Sequence, residues 1–367
     1  DFDLIGLSYY PFWHGTYTDL KETMERLVKD YGKPIMIVES AYAWRKCENG
    51  FIDEAQEKIA GFPASPEGQH KVLDLVNGIV ASLPGQMGMG VFYWEPLCLP
   101  VNGVGAWAEN MGLLDESGRV LEGIHAFEFT REKYDPMEWA KVYEPQEITV
   151  GTGKQVTLPE EVSVLLMNGT LQRKRVKWQT EASVSFEKSG SFVIQGLVQE
   201  KMLPVSVSVR VTESDAEKKN LLKDVNWDEG MVWWQTESSG EHLVAQIYPD
   251  FVEPYPAPPV NALRVEGKQK FSYRICQQVR IMEAGDYCFE VEMQGTDTTG
   301  VSVFLFVKTE KEEKKILVHP TEHGFVKCRL EGIRLDAEPV TVGVSISASP
   351  MYVMMRRFSF YRMQQGK

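Results

Sequence analysis

Three short apolar runs mark the first third of the chain, and each ends in aromatic and polar residues. They are Asp3-Leu-Ile-Gly-Leu-Ser-Tyr-Tyr-Pro-Phe-Trp-His14, Pro34-Ile-Met-Ile-Val-Glu39-Ser-Ala-Tyr-Ala-Trp44 and Met89-Gly-Val-Phe-Tyr-Trp-Glu-Pro96. Near-continuous apolarity at 4–8, 35–39 and 90–94 predicts parallel strands covered by helices. Between these runs the apolar period lengthens. Leu20, Met24, Leu27, Val28 and Tyr31 share one helical face, as do Val72, Leu75, Val76, Ile79, Val80 and Leu83. Pro66 suits the first turn of the second helix, with Ser65 as its cap. Residues 112–121 read as a turn into a closing helix. Residues 1–143 are therefore expected to alternate strand and helix, as in a barrel whose active-site groups sit at the strands' C-terminal ends.

Near Tyr143-Glu-Pro145 the period shortens to two. Gln155-Val-Thr-Leu158, Ser163-Val-Leu-Leu166, Val176-Lys-Trp178 and Val205-Ser-Val-Ser-Val-Arg-Val211 recur between turn residues, which predicts a small β-sandwich over 146–212. Glu213-Ser-Asp-Ala-Glu-Lys-Lys219 reads as a charged linker. A second all-β unit is expected over 220–363, with strands at 271–275, 285–293, 301–307 and 340–346. Their spacing fits a jelly-roll sandwich.

The net charge of -13 over 367 residues argues against nucleic acid as a partner and against an anionic membrane surface. No apolar stretch is long enough to insert across a bilayer. Cys47, Cys98, Cys276, Cys288 and Cys328 have no metal-ligand spacing and are odd in number, so most are expected to be free. Cys276 and Cys288 could pair across neighbouring strands.

Glu39 carries the most information. A carboxylate delivered by a strand into a ring of Tyr and Trp points to sugar chemistry. The runs Gly6-Leu-Ser-Tyr-Tyr-Pro-Phe-Trp-His-Gly15, Ile37-Val-Glu-Ser-Ala-Tyr-Ala-Trp44 and Val91-Phe-Tyr-Trp-Glu-Pro96, in that order, closely resemble the endo-β-1,4-galactanases. These are retaining hydrolases of glycoside hydrolase family 53, built on a (β/α)8 TIM barrel, that cut β-1,4-galactan in pectic arabinogalactan. The resemblance covers roughly residues 1–130. It implies that the three strands are the sixth, seventh and eighth of the barrel and that Glu39 is the catalytic nucleophile. It also implies a fragment without strands one to five and without the acid/base carboxylate.

Such a nucleophile must stay ionised, so it needs hydrogen-bond donors, and its acid/base partner stands about 5–5.5 Å away. Tyr9 or Tyr10 is the expected phenolic donor. Trp94 is expected to form the platform under the cleaved sugar, and Trp13 and His14 to line the cleft. Trp44 and Glu95 complete the expected substrate-binding set in this domain, Glu95 in a cleft-lining or structural role. His125 is expected to be a packing or surface residue. The loop Arg45-Lys-Cys-Glu-Asn-Gly-Phe-Ile-Asp53 has too few oxygens beside two cations for a hard-metal site, so no metal and no cofactor, calcium included, is predicted.

Residues 146–212 resemble a bacterial immunoglobulin-like spacer, carried by Leu158-Pro-Glu-Glu-Val-Ser-Val164, Asn168-Gly-Thr170 and Gly190-Ser-Phe-Val-Ile-Gln-Gly196, with Trp178 as a core residue. Residues 220–363 are similar to jelly-roll carbohydrate-binding modules, including the galactan-binding family. Here the resemblance rests on Gly230-Met-Val-Trp-Trp234, Ala262-Leu-Arg-Val265 and Phe271-Ser-Tyr-Arg-Ile-Cys-Gln277. The ending Arg356-Arg-Phe-Ser-Phe-Tyr361 lacks the acidic residues common in such modules. Trp233, Trp234, Tyr248 and Tyr255 are the candidate sugar-stacking residues, with one of the adjacent tryptophans expected to face the core. The expected whole is a secreted or cell-surface, monomeric endo-β-1,4-galactanase acting on β-1,4-galactan or type I arabinogalactan. The alternative is a non-catalytic galactan-binding protein with a relic barrel.

Overall fold

The computed structural model describes residues 2–47, 50–99, 108–212, 220–251, 255, 257, 260–296, 302–321, 324–348 and 351–363. Two compact units emerge, one of residues 1–211 with 252–258 and one of 212–251 with 259–367. The charged stretch 213–219 lies outside the described residues.

In the first unit, β1 (Ile5–Ser8), β2 (Ile35–Ser40) and β3 (Gly88–Tyr93) pair in that order, all parallel. Helix α1 (Tyr17–Tyr31) starts from a capping box, in which the Thr16 hydroxyl accepts from the Asp19 N–H and the Asp19 carboxylate accepts from the Thr16 N–H. It ends at Gly32, whose φ of 60° a side chain would strain. Asp53 and Gln56 form the same box at α2 (Glu54–Ala60). The Ser65 hydroxyl accepts from the Gly68 N–H at the start of α3 (Pro66–Ala81), as the sequence predicts. The predicted closing helix is a 3-10 helix over Glu122–Glu128, and His125 in it pairs with Glu128 at the surface.

Leu20 and Met24 from α1 and Val72, Leu75, Val76 and Ile79 from α3 pack on Ile35 and Ile37. Tyr31, expected on the same helical face, is 56% exposed. The apolar strands are buried on one face only. Val38, Met89 and Phe92 are exposed on the described surface, with Gly6 and Ser8.

The rest of this unit is β4 (Trp139–Val142), β5 (Ile148–Gly151), β6 (Gln155–Thr157), β7 (Glu161–Leu166), β8 (Leu171–Trp178), β9 (Ser183–Ser185), β10 (Gly190–Val198) and β11 (Leu203–Thr212). Six of them form a sheet in the order β4-β7-β8-β10-β11-β5, and β6 pairs with β9. Strand β4 precedes the expected boundary at 143 yet pairs with β7. Alternation on β7 serves two cores. Val162 joins Val156, Val176 and Val207, whereas Leu165 packs into the core under β1–β3. The Trp178 indole N–H donates to the Pro159 carbonyl, and its ring is core, as expected.

The second unit contains β12 (Gln235–Ser239), β13 (Leu243–Phe251), β14 (Val260–Gly267), β15 (Phe271–Arg280), β16 (Gly285–Gly295), β17 (Ser302–Lys308), β18 (Glu313–Val318), β19 (Val326–Leu335), β20 (Pro339–Ala348) and β21 (Met351–Met363). They form two five-stranded sheets, ordered β12-β15-β20-β17-β18 and β13-β14-β21-β16-β19. Both sheets turn apolar side chains into one core, among them Ile275, Val344, Leu305, Phe289 and Val353. Cys276 on β15 and Cys288 on β16 therefore lie in different sheets, and all five cysteines are free thiols. Among the described residues, no helix is long and apolar enough to cross a membrane.

Candidate active site

Glu39 owes its position to a register slip. Ile35 and Ile37 point to the helices, and strict alternation would send residue 39 after them. Leu7 faces Ile37, but Ser8 faces Glu39, so β2 carries one extra residue against β1. A second slip stands between Ile37 and Ser40 against β3. Such a bulge re-aims the side chain that follows it, and here it turns the carboxylate to the C-terminal mouth of the sheet.

At that mouth the Tyr10 hydroxyl donates to Glu39 Oε1 at 2.8 Å. Burial first, and then the bond to Glu39, raise the Tyr10 phenol well above its ordinary pKa, so it remains a donor. The adjacent Tyr9 points the other way. It is 2% exposed, packs on Tyr17 and donates to the Gly15 carbonyl at 3.2 Å. Of the two expected donors, Tyr10 fills the role and Tyr9 is a core residue, because consecutive residues leave a strand on opposite sides.

A cavity of about 120 Å³ opens over the carboxylate, lined by Tyr10, Phe12, Trp13, Phe51, Trp94 and Met111 beside Glu39. The turn after β1 builds one wall, since the Trp13 and His14 N–H groups both donate to the Tyr10 carbonyl at 2.9 Å. Trp13 is 46% exposed, with its ring edge-on to Phe12 and Phe51. His14 accepts from the Tyr10 N–H through Nδ1 at 3.2 Å and does not line the cavity. Trp94 does, fixed by its N–H to the Ser40 carbonyl at 2.9 Å. Glu95 stays outside. It is exposed and sits at a φ of 56°, a turn conformation that directs it away from the lining. Trp44 also stays outside, beneath the Arg45 guanidinium at 5.1 Å.

Sequence reasoning missed the braces behind this cavity. Asn110, fully buried, donates to the Arg45 and Phe51 carbonyls at 2.9 and 2.6 Å and accepts from the Phe51 N–H at 3.2 Å. Its own carbonyl takes the Trp44 N–H at 2.9 Å. Gln69 on α3, equally buried, directs its amide nitrogen at the Tyr42 carbonyl (2.8 Å), the Gly112 carbonyl (3.0 Å) and the Tyr93 hydroxyl (3.2 Å). Gln69 had a signal, for it lies on the helical face of Val72 and Val76. Phe51, Met111 and Asn110 had none. Among the described residues, no group of three or more His, Cys, Asp or Glu side chains could hold a metal ion.

The candidates of the second unit do not converge. Trp234 is 6% exposed and packs on Trp227 and Phe358, so it is the core member of its pair and no sugar platform. Trp233 is 42% exposed, but Lys223 Nζ covers its ring at 4.0 Å and Glu229 takes its indole N–H at 2.7 Å. Tyr248, on β13, lies beneath the Arg264 guanidinium at 5.7 Å. Tyr255 groups with the first unit, where its ring meets Tyr143 at 4.3 Å and its hydroxyl bonds Ser163 at 2.8 Å. That occupies both the ring and the hydroxyl expected to meet a sugar.

An ionisable carboxylate at the mouth of parallel strands, held by a phenol and walled by indoles, is a site suited to glycoside chemistry. Residues 1–127 match the profile described as Glycosyl hydrolase family 53, and residues 143–202 match Bacterial Ig-like domain (group 4). The resemblance drawn from the three motifs is thereby borne out. The endo-beta-1,4-galactanase of Bacillus subtilis is 32% identical over 146 residues, covering 39% of this chain and 33% of that protein. The arabinogalactan endo-beta-1,4-galactanase of Cellvibrio japonicus is 37% identical over 145 residues, covering 36% and 37%. This chain thus spans about a third of the length of those relatives. Among solved structures, the family 53 catalytic domain of Ignisphaera aggregans aligns at 31% identity, covering 35% of this chain and 38% of that one, with a TM-score of 0.31. TmCBM61 in complex with beta-1,4-galactotriose aligns at 17% identity, covering 40% and 99%, with a TM-score of 0.34.

Proposed function

We propose that this chain carries the nucleophile side of a retaining endo-β-1,4-galactanase site, joined through an immunoglobulin-like spacer to a jelly-roll carbohydrate-binding module. The observation that carries the reading is the Tyr10–Glu39 pair at the aromatic mouth of β1–β3. Glu39 attacks the anomeric carbon, and Tyr10 holds the carboxylate in its attacking orientation without neutralising it. Trp94 and Trp13 offer apolar faces to the pyranose C–H groups. Within the reading, the strands are the sixth to eighth of a TIM barrel, the protein is secreted, and the third domain binds the same galactan.

Retention needs a second carboxylate. Glu39 is the lone carboxylate lining the cavity among the described residues, so in this reading the acid/base comes from outside them and the chain alone does not hydrolyse galactan. The same observation favours a second reading, a galactan-binding protein whose barrel segment performs no chemistry. Glu39→Gln, placed in a protein that also contains the acid/base strand, separates the two. Turnover should fall by several orders of magnitude with galactan binding intact. A residual kcat above about a tenth of the original would refute the nucleophile assignment. Azide rescue of Glu39→Gly, giving a galactosyl azide of inverted configuration, would support it.

A further inference from the structure

Tyr93 ends β3 one residue before Trp94, and it does not line the cavity over Glu39. Its hydroxyl nevertheless lies where three loops meet. It accepts from the Tyr42 N–H at 3.3 Å and from the Gln69 amide nitrogen at 3.2 Å. Its one proton is shared between the Met111 carbonyl, in a short hydrogen bond, and the Tyr42 carbonyl at 3.1 Å. A phenol has one donor and two acceptor positions, so all of them are engaged here. Burial holds this phenol well above its ordinary pKa, and the proton stays on it. The ring is anchored separately, at the back, where it packs on Leu73, Leu113 and Ala126 and meets Phe127 edge-on at 6.4 Å.

We infer that Tyr93 is a positioning residue for the nucleophile, whose hydroxyl fixes the walls of the cavity relative to Glu39. Each loop it joins carries or supports one wall. Trp94 follows Tyr93 directly, and Met111 is held through its own carbonyl. Phe51 is held one step further on, by the buried Asn110 beside Met111. Tyr42 leads the chain away from Glu39 itself. The Tyr10 phenol, which bonds Glu39, also feels Tyr93, although burial and Glu39 act on it more strongly. Tyr93 touches no sugar in this arrangement. It acts because attack on an anomeric carbon tolerates little misplacement, and a shift of about 1 Å can cost about a hundredfold in rate. The ring holds the fold and the hydroxyl holds the geometry, so the two roles separate by substitution.

The inference rests on the function proposed above, and two variants test it. Tyr93→Phe keeps the ring and removes the hydroxyl, whereas Phe127→Ala loosens the ring's packing and leaves the hydroxyl in place. If Tyr93→Phe does not fold, Tyr93→His, too short to reach both carbonyls, replaces it. The first readout is hydrogen exchange in this chain, by mass spectrometry of peptides containing Trp44 and Leu113. Their N–H groups donate across the loops to the Asn110 and Pro96 carbonyls at 2.9 and 2.8 Å. Exchange there should quicken about tenfold in Tyr93→Phe and stay unchanged in Phe127→Ala. The second readout is galactan hydrolysis in a protein that also contains the acid/base strand. There Tyr93→Phe should lower kcat about tenfold with KM within about twofold, and Phe127→Ala should lose thermal stability but keep its kcat. Unchanged exchange in Tyr93→Phe would overturn the inference, as would an equal loss of kcat in the two variants. An active parent whose kcat ignores Tyr93→Phe would remove Tyr93 alone and leave the proposed function standing. A parent that contains the acid/base strand and does not cleave galactan would sink the proposed function and this inference with it.

Discussion

Gln69→Leu removes a side chain that ties α3 to both loops around the candidate site, and the structure sets the size of its effect. Two amide hydrogens serve the Tyr42 and Gly112 carbonyls at 2.8 and 3.0 Å in a fully buried setting. Leucine leaves the Gly112 carbonyl dry and unpaired, at about 1–3 kcal/mol, and takes one of two donors from the Tyr42 carbonyl, which keeps the Tyr93 hydroxyl at 3.1 Å, at about 1 kcal/mol. Against this, the Gln69 carbonyl oxygen is itself buried with no partner, and its removal returns a similar amount for one group. The net destabilisation should be about 1 kcal/mol. Gln69→Glu should be worse at neutral pH, because it points a carboxylate at carbonyl oxygens. Burial raises such a carboxyl's pKa in the folded state, so the folded form binds more protons than the unfolded one. Stability of Gln69→Glu should therefore rise as pH falls from about 8 to 5, relative to Gln69→Leu. Urea unfolding followed by tryptophan fluorescence at several pH values measures both. Wild-type stability in Gln69→Leu, or a Gln69→Glu penalty that does not depend on pH, would refute the hydrogen-bond reading.

Tyr10→Phe, in a protein containing the acid/base strand, should lower kcat roughly ten- to a hundredfold, the worth of one hydrogen bond to a charged group; an unchanged rate would detach Tyr10 from Glu39. Trp234→Ala should destabilise the second unit by about 3–5 kcal/mol, whereas Trp233→Ala should stay within about 1 kcal/mol. Equal effects in thermal unfolding would contradict their different burial. Thr16→Ala should cost about 1 kcal/mol by opening the α1 capping box, and Thr16→Ser should restore it.

Much of the architecture was legible because local rules and tertiary packing agree. Ser65 and Pro66 mark a helix start by chemistry alone, and the change of period near Tyr143 marks the passage to β structure. The site was legible only where its residues share a run with Glu39, Tyr10 or Trp94. Periodicity could not choose between Tyr9 and Tyr10, since the choice depends on how the chain leaves β1. Nor could it foresee the bulge that aims Glu39, which exists only in the pairing of β1 with β2. Aromatic residues in the second unit misled for a related reason. Trp234 and Tyr255 are consumed by packing, which depends on which way each residue turns from its strand or loop.

Strand β7 has a consequence for how this chain can be cut or shuffled. Its even-numbered Val162 and odd-numbered Leu165 belong to different cores, so neither core is complete without the same six residues. A spacer that shares a strand in this way is no free bead on a string. Severing the chain at residue 143 would strip Leu165 of its neighbours and bring a leucine to the surface of the excised piece. Recombination that swaps the spacer for another immunoglobulin-like domain would have to supply apolar residues in place of Leu165, Met167 and Leu171, or the barrel segment would lose part of its floor.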